Sequence, residues 1–424
     1  MTTLIVTGGN PISGEYTPTG NKNAALPALA ACLLTDQPLT LHNIPLIKDV
    51  EVMLQLLASL GVEINRAGST VVLQARNIKP VRLDRELCRR VRASILLAGP
   101  LVARTGRAEF FPPGGDVIGR RRLDTHFAGL KALGVSVQTG KAFVFKRKKL
   151  KPADMLLDEA SVTATENILM VAALTEGEST LYNAACEPHV QDLCRLLEKM
   201  GARIDGIGTN LLRVRGAGSL GGAEMTIGPD YIEMGSFMAA SLVTGGELKI
   251  RGMENFQSLE IIRRTFSKLG IHWSARGNIL KLPAHDRMDV VNDFGSAIPK
   301  IEDGIWPAFP SDLMSVAIVL ATQAHGSVLF FEKLFESRMY FVDRLIEMGA
   351  QIVQCDPHRV LVQGRSRLNG IHMSSPDIRA GMSMLIAALC AKGQSVIDGA
   401  EVIDRGYEAI DERLRALGAN ITRA

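Results

Sequence analysis

Runs that are apolar on every side alternate along this chain with runs that are apolar on one side only. Ala24 to Leu34 is of the first kind, entered through Gly20-Asn21-Lys22-Asn23 and left through Thr35-Asp36-Gln37-Pro38 into the strand-like Leu39-Thr40-Leu41. A helix apolar all round is buried all round, and this one is too short for a bilayer, so it predicts the centre of a domain rather than a membrane span. The pattern recurs at Ala93 to Leu101, Thr163 to Leu174, Met234 to Val243, Ser311 to Ala321 and Arg379 to Leu389, each followed by a Gly-containing turn and a β-prone run. Between these lie amphipathic helices that end in Leu or Met and then Gly, at Gly61, Gly134, Gly201, Gly270, Gly349 and Gly418. Glycine there permits the left-handed cap that turns a helix sharply into a strand.

The Gly positions recur about every seventy residues, too long for a solenoid, so each repeat is a small αβ unit and the six divide into three and three. The expected domains are 22–229, and 1–21 together with 230–424. Three buried helices cannot all sit outside one sheet. The economical α/β arrangement puts them inside, parallel, with short sheets and amphipathic helices around them.

With 424 residues, 46% apolar and 22% charged, the chain can bury large cores. A formal charge of +4 is too small to argue for nucleic acid, and the basic run Lys146-Arg147-Lys148-Lys149 reads as a solvated hairpin tip. The six scattered cysteines, Cys32, Cys88, Cys186, Cys194, Cys355 and Cys390, lack a C-x-x-C pair, which predicts a reduced, cytoplasmic protein. No histidine pair has zinc-ligand spacing, so no metal is expected. Gly9 to Tyr16 imitates a P-loop but carries Glu15 where lysine is needed.

Candidate chemistry gathers at the helix mouths. Lys22, Arg92 and Arg379 begin three buried helices, Asp312 begins another, and Ser161 and Asp230 precede the remaining two. Cations at helix amino termini oppose the macrodipole, which predicts an anion held by them and by the terminal N–H groups. The loop Phe110 to Arg121, stiffened by Pro112-Pro113 and freed by Gly114-Gly115, reads as a lid with Asp116 at its tip.

Gly20-Asn21-Lys22-Asn23-Ala24-Ala25, Arg92-Ala93-Ser94-Ile95, Gly114 to Arg121, Phe309-Pro310-Ser311-Asp312 and Ile403 to Glu408 together resemble the motifs of the UDP-N-acetylglucosamine enolpyruvyl transferases, within the EPSP synthase family. The resemblance runs from residue 4 to the end. It implies a two-domain inside-out α/β barrel with its active site in the cleft, and transfer of the enolpyruvyl group of phosphoenolpyruvate to the 3′-hydroxyl of UDP-N-acetylglucosamine. That reaction is the first committed step of bacterial peptidoglycan synthesis, so it implies a role in cell-wall biogenesis, cell shape and division. No cofactor, nucleic acid or membrane insertion is implied. By the same matching, Asp116 stands where most members have cysteine, as the acid near the methylene carbon, and Asp312 takes the proton of the sugar hydroxyl. Lys22, Arg121 and Arg405 surround the phosphate, with Arg338 and Arg379 near the carboxylate or the closing interface. Asn23, Asp49, Arg92, Arg122, Leu123, Asp124, Thr125, His126, Ser161, Val162, Glu187 and Leu334 line the nucleotide sugar or support the site. Asp116 in place of cysteine implies insensitivity to fosfomycin, an epoxide that alkylates the usual thiol. Glu159, Tyr231 and Asn21 depart from the family pattern of lysine, arginine and alanine. Glu159 and Tyr231 keep open a different nucleotide or UDP-sugar acceptor in a secondary pathway, and a catalytically silent UDP-sugar sensor is the alternative from a different class.

Overall fold

The structure is a computed structural model and describes residues 2–79, 82–252 and 257–424. The chain divides into two compact units, one made of residues 20–115 and 121–228, the other of 1–19, 116–120 and 229–424. The second grouping differs from expectation at the Asp116 loop, which the sequence had assigned wholly to the first domain.

In the unit 20–228, the buried helices are Lys22–Ala31, Ala98–Thr105 and Val162–Leu174. The first tightens into a 3-10 turn at Cys32–Leu34, and the second is entered through a 3-10 helix at Arg92–Leu97. Three short sheets surround them. One runs Ala223–Thr226, Leu39–His42, Thr70–Gln74, Glu63–Ala67, and the parallel pairing of Ala223 with Leu39 ties the end of the unit to its beginning. The expected glycine caps hold at positive φ throughout, from Gly61 at 87° to Gly418 at 107°.

In the other unit the buried helices are Tyr231–Val243, Met314–Gln323 and Ile378–Cys390, packed on one another, again with three sheets around them. The amino-terminal segment belongs here for two reasons. Strand Leu4–Thr7 lies between Gln394–Asp398 and Asn420–Arg423, antiparallel to both. The buried Glu233 carboxylate accepts from the Thr19 N–H at 3.0 Å, the Thr19 hydroxyl at 2.7 Å and the Tyr16 hydroxyl, and Arg413 closes the cluster at 2.9 Å. A buried carboxylate left without these donors would be costly, so the cluster fixes the segment to helix Tyr231–Val243.

Packing also sets the mouth that carries Asp312. Its 3-10 turn, Ser311–Leu313, is anchored by the fully buried Leu313. A Cβ on Gly235 would fall 2.9 Å from Leu313 Cδ1, so only glycine lets the helix approach this closely.

Candidate active site

Within the unit made of residues 1–19, 116–120 and 229–424, the structure brings together five of the expected residues. Asp312 is bracketed by two arginines: Arg338 Nη2 donates to one carboxylate oxygen at 2.8 Å and Arg379 Nη2 to the other at 2.9 Å. Arg405, closing the 3-10 turn Ala400–Arg405, donates to Asp116 at 2.6 Å. Asp377 joins the two pairs. Burial raises the pKa of its carboxyl, Arg338 opposes that and Asp116 adds to it, so both arms lie around one buried acid.

Arg338 and Arg379 are almost wholly buried, at 3% and 5% side-chain exposure, while Asp312 keeps 29%. Arg379 lies over the Tyr407 ring at 5.5 Å, and its Nη1 has no hydrogen-bond partner among the described residues. A buried guanidinium donor without an acceptor is costly, and here both N–H groups of Nη1 are left without one. Burial lowers the Arg379 pKa, but Asp312, Tyr407 and Asp230 outweigh it and leave the group firmly charged.

The Asp116 loop has no regular secondary structure from 111 to 123. Residues 116–120 pack with Arg405 and the segment after Glu332: the Ser337 N–H donates to the Ile118 carbonyl at 3.1 Å and the Arg120 N–H to Glu336 at 3.2 Å. Gly119, at φ 137°, is where the Glu336 carboxylate comes closest, and a Cβ there would sit 2.1 Å from it. Glu336 carries no sequence signal beyond its place two residues before Arg338.

In the unit 20–228, Lys22 is paired with the buried Asp49 at 2.7 Å, and Asn23 follows it on the same helix at intermediate exposure. Arg92 donates to the main-chain carbonyls of Arg121 and, at 3.4 Å, Arg122, so it braces the returning limb of the loop. Its pKa falls to about 10 through burial and the Arg121 charge, opposed by Glu159. Glu159 also faces Arg122, so this departure from the family pattern supplies a counter-charge to two cations. Arg122 pairs with Asp124 at 2.6 Å, both exposed. Leu123 precedes helix Asp124–Ala132, where Thr125 and His126 are buried. Ser161 and Val162 open helix Val162–Leu174 without a side-chain cap, and Glu187 precedes helix Pro188–Lys199. Leu334, in the other unit, is 43% exposed.

Two expectations change. His126 is not presented to a ligand: its Nδ1 takes the Asn167 amide at 3.1 Å and its Nε2 meets Thr163 Oγ1 at 3.1 Å, while burial and Arg92 bring its pKa down to about 3. Three of the six helix mouths carry side-chain caps rather than bare terminal donors. Asn21 accepts from the Ala24 N–H at 3.0 Å, Asp230 from Ile232 and Glu233, and Asp377 from Arg379 and Ala380. Side-chain caps thus satisfy terminal donors that the sequence had left for a ligand. Asp377 was missed, although Asp immediately before an apolar helical run is a capping signal. Tyr231, replacing an arginine, is buried against Trp306 at 6.1 Å. Among the described residues no group of three or more His, Cys, Asp or Glu could hold a metal ion.

A model of the EPSP synthase (3-phosphoshikimate 1-carboxyvinyltransferase) family matches residues 6–414. The chain belongs to the EPSP synthase family. Among relatives in that family, a protein of Treponema denticola is 51% identical over 99% of both chains, and one of Bradyrhizobium diazoefficiens is 53% identical over 99% of this chain and 97% of its own. Both are named UDP-N-acetylglucosamine 1-carboxyvinyltransferase. The family fold is evident in solved structures too. The enolpyruvyl transferase NikO from Streptomyces tendae superimposes with a TM-score of 0.89 at 21% identity, covering 100% of this chain and 99% of its own. An EPSP synthase from Acinetobacter baumannii gives 0.77 at 17%, with the same coverage.

Proposed function

We propose that the chain transfers the enolpyruvyl group of phosphoenolpyruvate to the 3′-hydroxyl of UDP-N-acetylglucosamine and releases phosphate, the first committed step of peptidoglycan synthesis. The observation that carries the reading is the Asp312 carboxylate gripped by Arg338 and Arg379 in the same unit as the Asp116–Arg405 pair. Relatives more than half identical over nearly the whole chain bear the matching name.

The chemistry needs a proton on the methylene carbon and a proton removed from the sugar hydroxyl. Asp312 accepts the hydroxyl proton, and the alkoxide oxygen bonds to the carbon that bears the phosphate. Asp116 supplies the proton to the methylene carbon. Loss of phosphate, with return of a proton from the new methyl group, restores the double bond. A ligand phosphate at Arg405 would take the place of the Asp116 carboxylate and leave a negative charge beside it, the setting in which a carboxyl carries a proton. Arg379 Nη1 meets the substrate carboxylate. Lys22, Arg121 and Arg405 hold the phosphate, whose departure depends on fixed positive charge. Asn23, Arg92, Arg122 and the uncapped turn at Ser161–Val162 serve the nucleotide sugar. The reading puts the reaction in the cytoplasm, where nucleotide sugars are made, and no disulfide joins any of the six cysteines, as suits a reducing compartment. Among the described residues no helix is long and apolar enough to cross a membrane.

Phosphate release by the purified protein from phosphoenolpyruvate tests this, with a panel of UDP-sugars and shikimate 3-phosphate as acceptors. UDP-N-acetylglucosamine is expected to be preferred. Turnover with shikimate 3-phosphate alone would overturn the proposal.

A further inference from the structure

Two buried carboxyl groups take no part in the reaction above. Strand Lys300–Glu302 pairs in parallel with Gly326–Phe331, Glu302 opposite Phe331, so the next residues, Asp303 and Glu332, leave the two strands side by side. Asp303 is 1% exposed and Glu332 fully buried. Asp303 Oδ1 accepts from the Lys333 N–H, whereas its buried Oδ2 has no partner among the described residues. Glu332 Oε1 accepts from the Leu334 and Phe335 N–H groups at 3.3 and 3.1 Å, and Ser311 Oγ lies 3.0 and 2.9 Å from its two oxygens.

Two adjacent anions out of water repel each other strongly, and one proton shared between them removes the repulsion. It also gives Asp303 Oδ2 the donor it lacks. Burial and Asp303 push Glu332 well above the usual carboxylate range, against Arg338 and Ser311. Of the charged and titratable groups around it, Asp303 comes from the neighbouring strand and Arg338 from the segment that follows. His358, on the adjoining turn, meets the Glu332 main chain: its Nδ1 lies 2.7 Å from the Glu332 carbonyl, and its own carbonyl accepts from the Glu332 N–H at 2.8 Å.

We propose that Glu332 is a positioning residue for the proton acceptor Asp312: as a neutral acid bonded to Asp303 it orients Ser311, and through Ser311 the guanidinium of Arg338. Arg338 Nε donates to Ser311 Oγ at 3.2 Å while its Nη2 donates to Asp312 at 2.8 Å. A charged Glu332 would compete with Asp312 for this cation. A neutral one leaves the charge of Arg338 to Asp312. The inference rests on the reading of Asp312 as the acceptor of the sugar proton.

The test compares Glu332→Gln, Glu332→Ala and Ser311→Ala in the full chain. The amide of Glu332→Gln can donate to Asp303 and accept from Ser311, so its kcat is expected within about threefold of wild type with an unchanged pH profile. Glu332→Ala and Ser311→Ala are expected to lower kcat roughly 10- to 100-fold with little change in KM. They also move the acidic limb of the profile to higher pH, because Asp312 loses part of the stabilisation of its anion. Should Glu332→Ala fail to fold, Glu332→Gln and Ser311→Ala decide. An infrared difference spectrum of wild type against Glu332→Gln at pH 7 is expected to show the loss of one carboxylic-acid carbonyl band. Absence of that band, a Gln variant as impaired as the Ala variant, or a fully active Ser311→Ala overturns the proposal. A wild-type chain that does not turn over instead counts against the assigned reaction, and the infrared comparison still decides whether Glu332 is neutral.

Discussion

Arg405 Nη1 lies 2.6 Å from the Asp116 carboxylate although 289 positions separate the two residues in the chain. The pairing occupies the cation assigned to phosphate with the group assigned to deliver a proton. An anion arriving at Arg405 therefore changes the surroundings of Asp116 in the same step.

Asp116→Asn keeps the shape of the side chain and removes its acidity. The variant is expected to lose roughly 10²- to 10⁴-fold in kcat, read as phosphate release. The native enzyme is expected to keep its full rate after incubation with fosfomycin, and Asp116→Cys to become inactivated over time. Rapid inactivation of the native enzyme would refute the assignment of Asp116 in place of the usual thiol.

Arg379→Lys retains the charge but not the planar fork that reaches Asp312 and leaves Nη1 over. Loss of one charge-assisted hydrogen bond corresponds to a fall of roughly 10- to 100-fold in kcat/KM for phosphoenolpyruvate. Steady-state kinetics that show unchanged kcat/KM would remove Arg379 from substrate binding.

Asn21 departs from the family's alanine, yet its side chain caps helix Lys22–Ala31. Asn21→Ala is expected to cost about 1 kcal/mol of stability in urea denaturation and to leave the choice of UDP-sugar unaltered. A changed acceptor preference would assign Asn21 to specificity instead.

His126 and Glu332 impose opposite pH dependences on stability. The His126 pKa is about 3 when folded, below the value near 6.5 of an unfolded histidine, so the unfolded chain binds the extra proton between those limits. Its contribution is present above pH 6.5 and is lost as pH falls toward 3. The Glu332 pKa is raised on folding, so its contribution is present below the ordinary carboxylate range and is lost as pH rises above it. Denaturation midpoints measured across pH 4 to 9 are expected to flatten on the acidic side in His126→Gln and on the alkaline side in Glu332→Gln.

Much of the fold is legible because burial on all sides leaves a mark in the chain. An unbroken apolar run such as Val316–Ala321 has no polar face to offer water, and the recurring Leu-Gly or Met-Gly step marks each turn into a strand. The site is legible less evenly. Asp312 and Arg379 stand out as charges beside apolar helices, whereas Arg338 comes only from the family resemblance. His126 enters through the family resemblance, as lining the nucleotide sugar or supporting the site, and its bonds to Asn167 and Thr163 show only in the structure. Asp303 and Glu332 read as ordinary residues at strand ends. Only the register of two strands distant in sequence makes them neighbours.

Strand Leu4–Thr7 leaves the ribosome nearly four hundred positions ahead of both of its sheet neighbours, Gln394–Asp398 and Asn420–Arg423. At ordinary rates of translation the interval is on the order of tens of seconds. Throughout it, a Leu-Ile-Val-Thr segment offers two bare edges to any other nascent chain. The half built from residues 20–228 has its described strands in hand well before then, so the long wait for partners falls on the half that holds strand Leu4–Thr7.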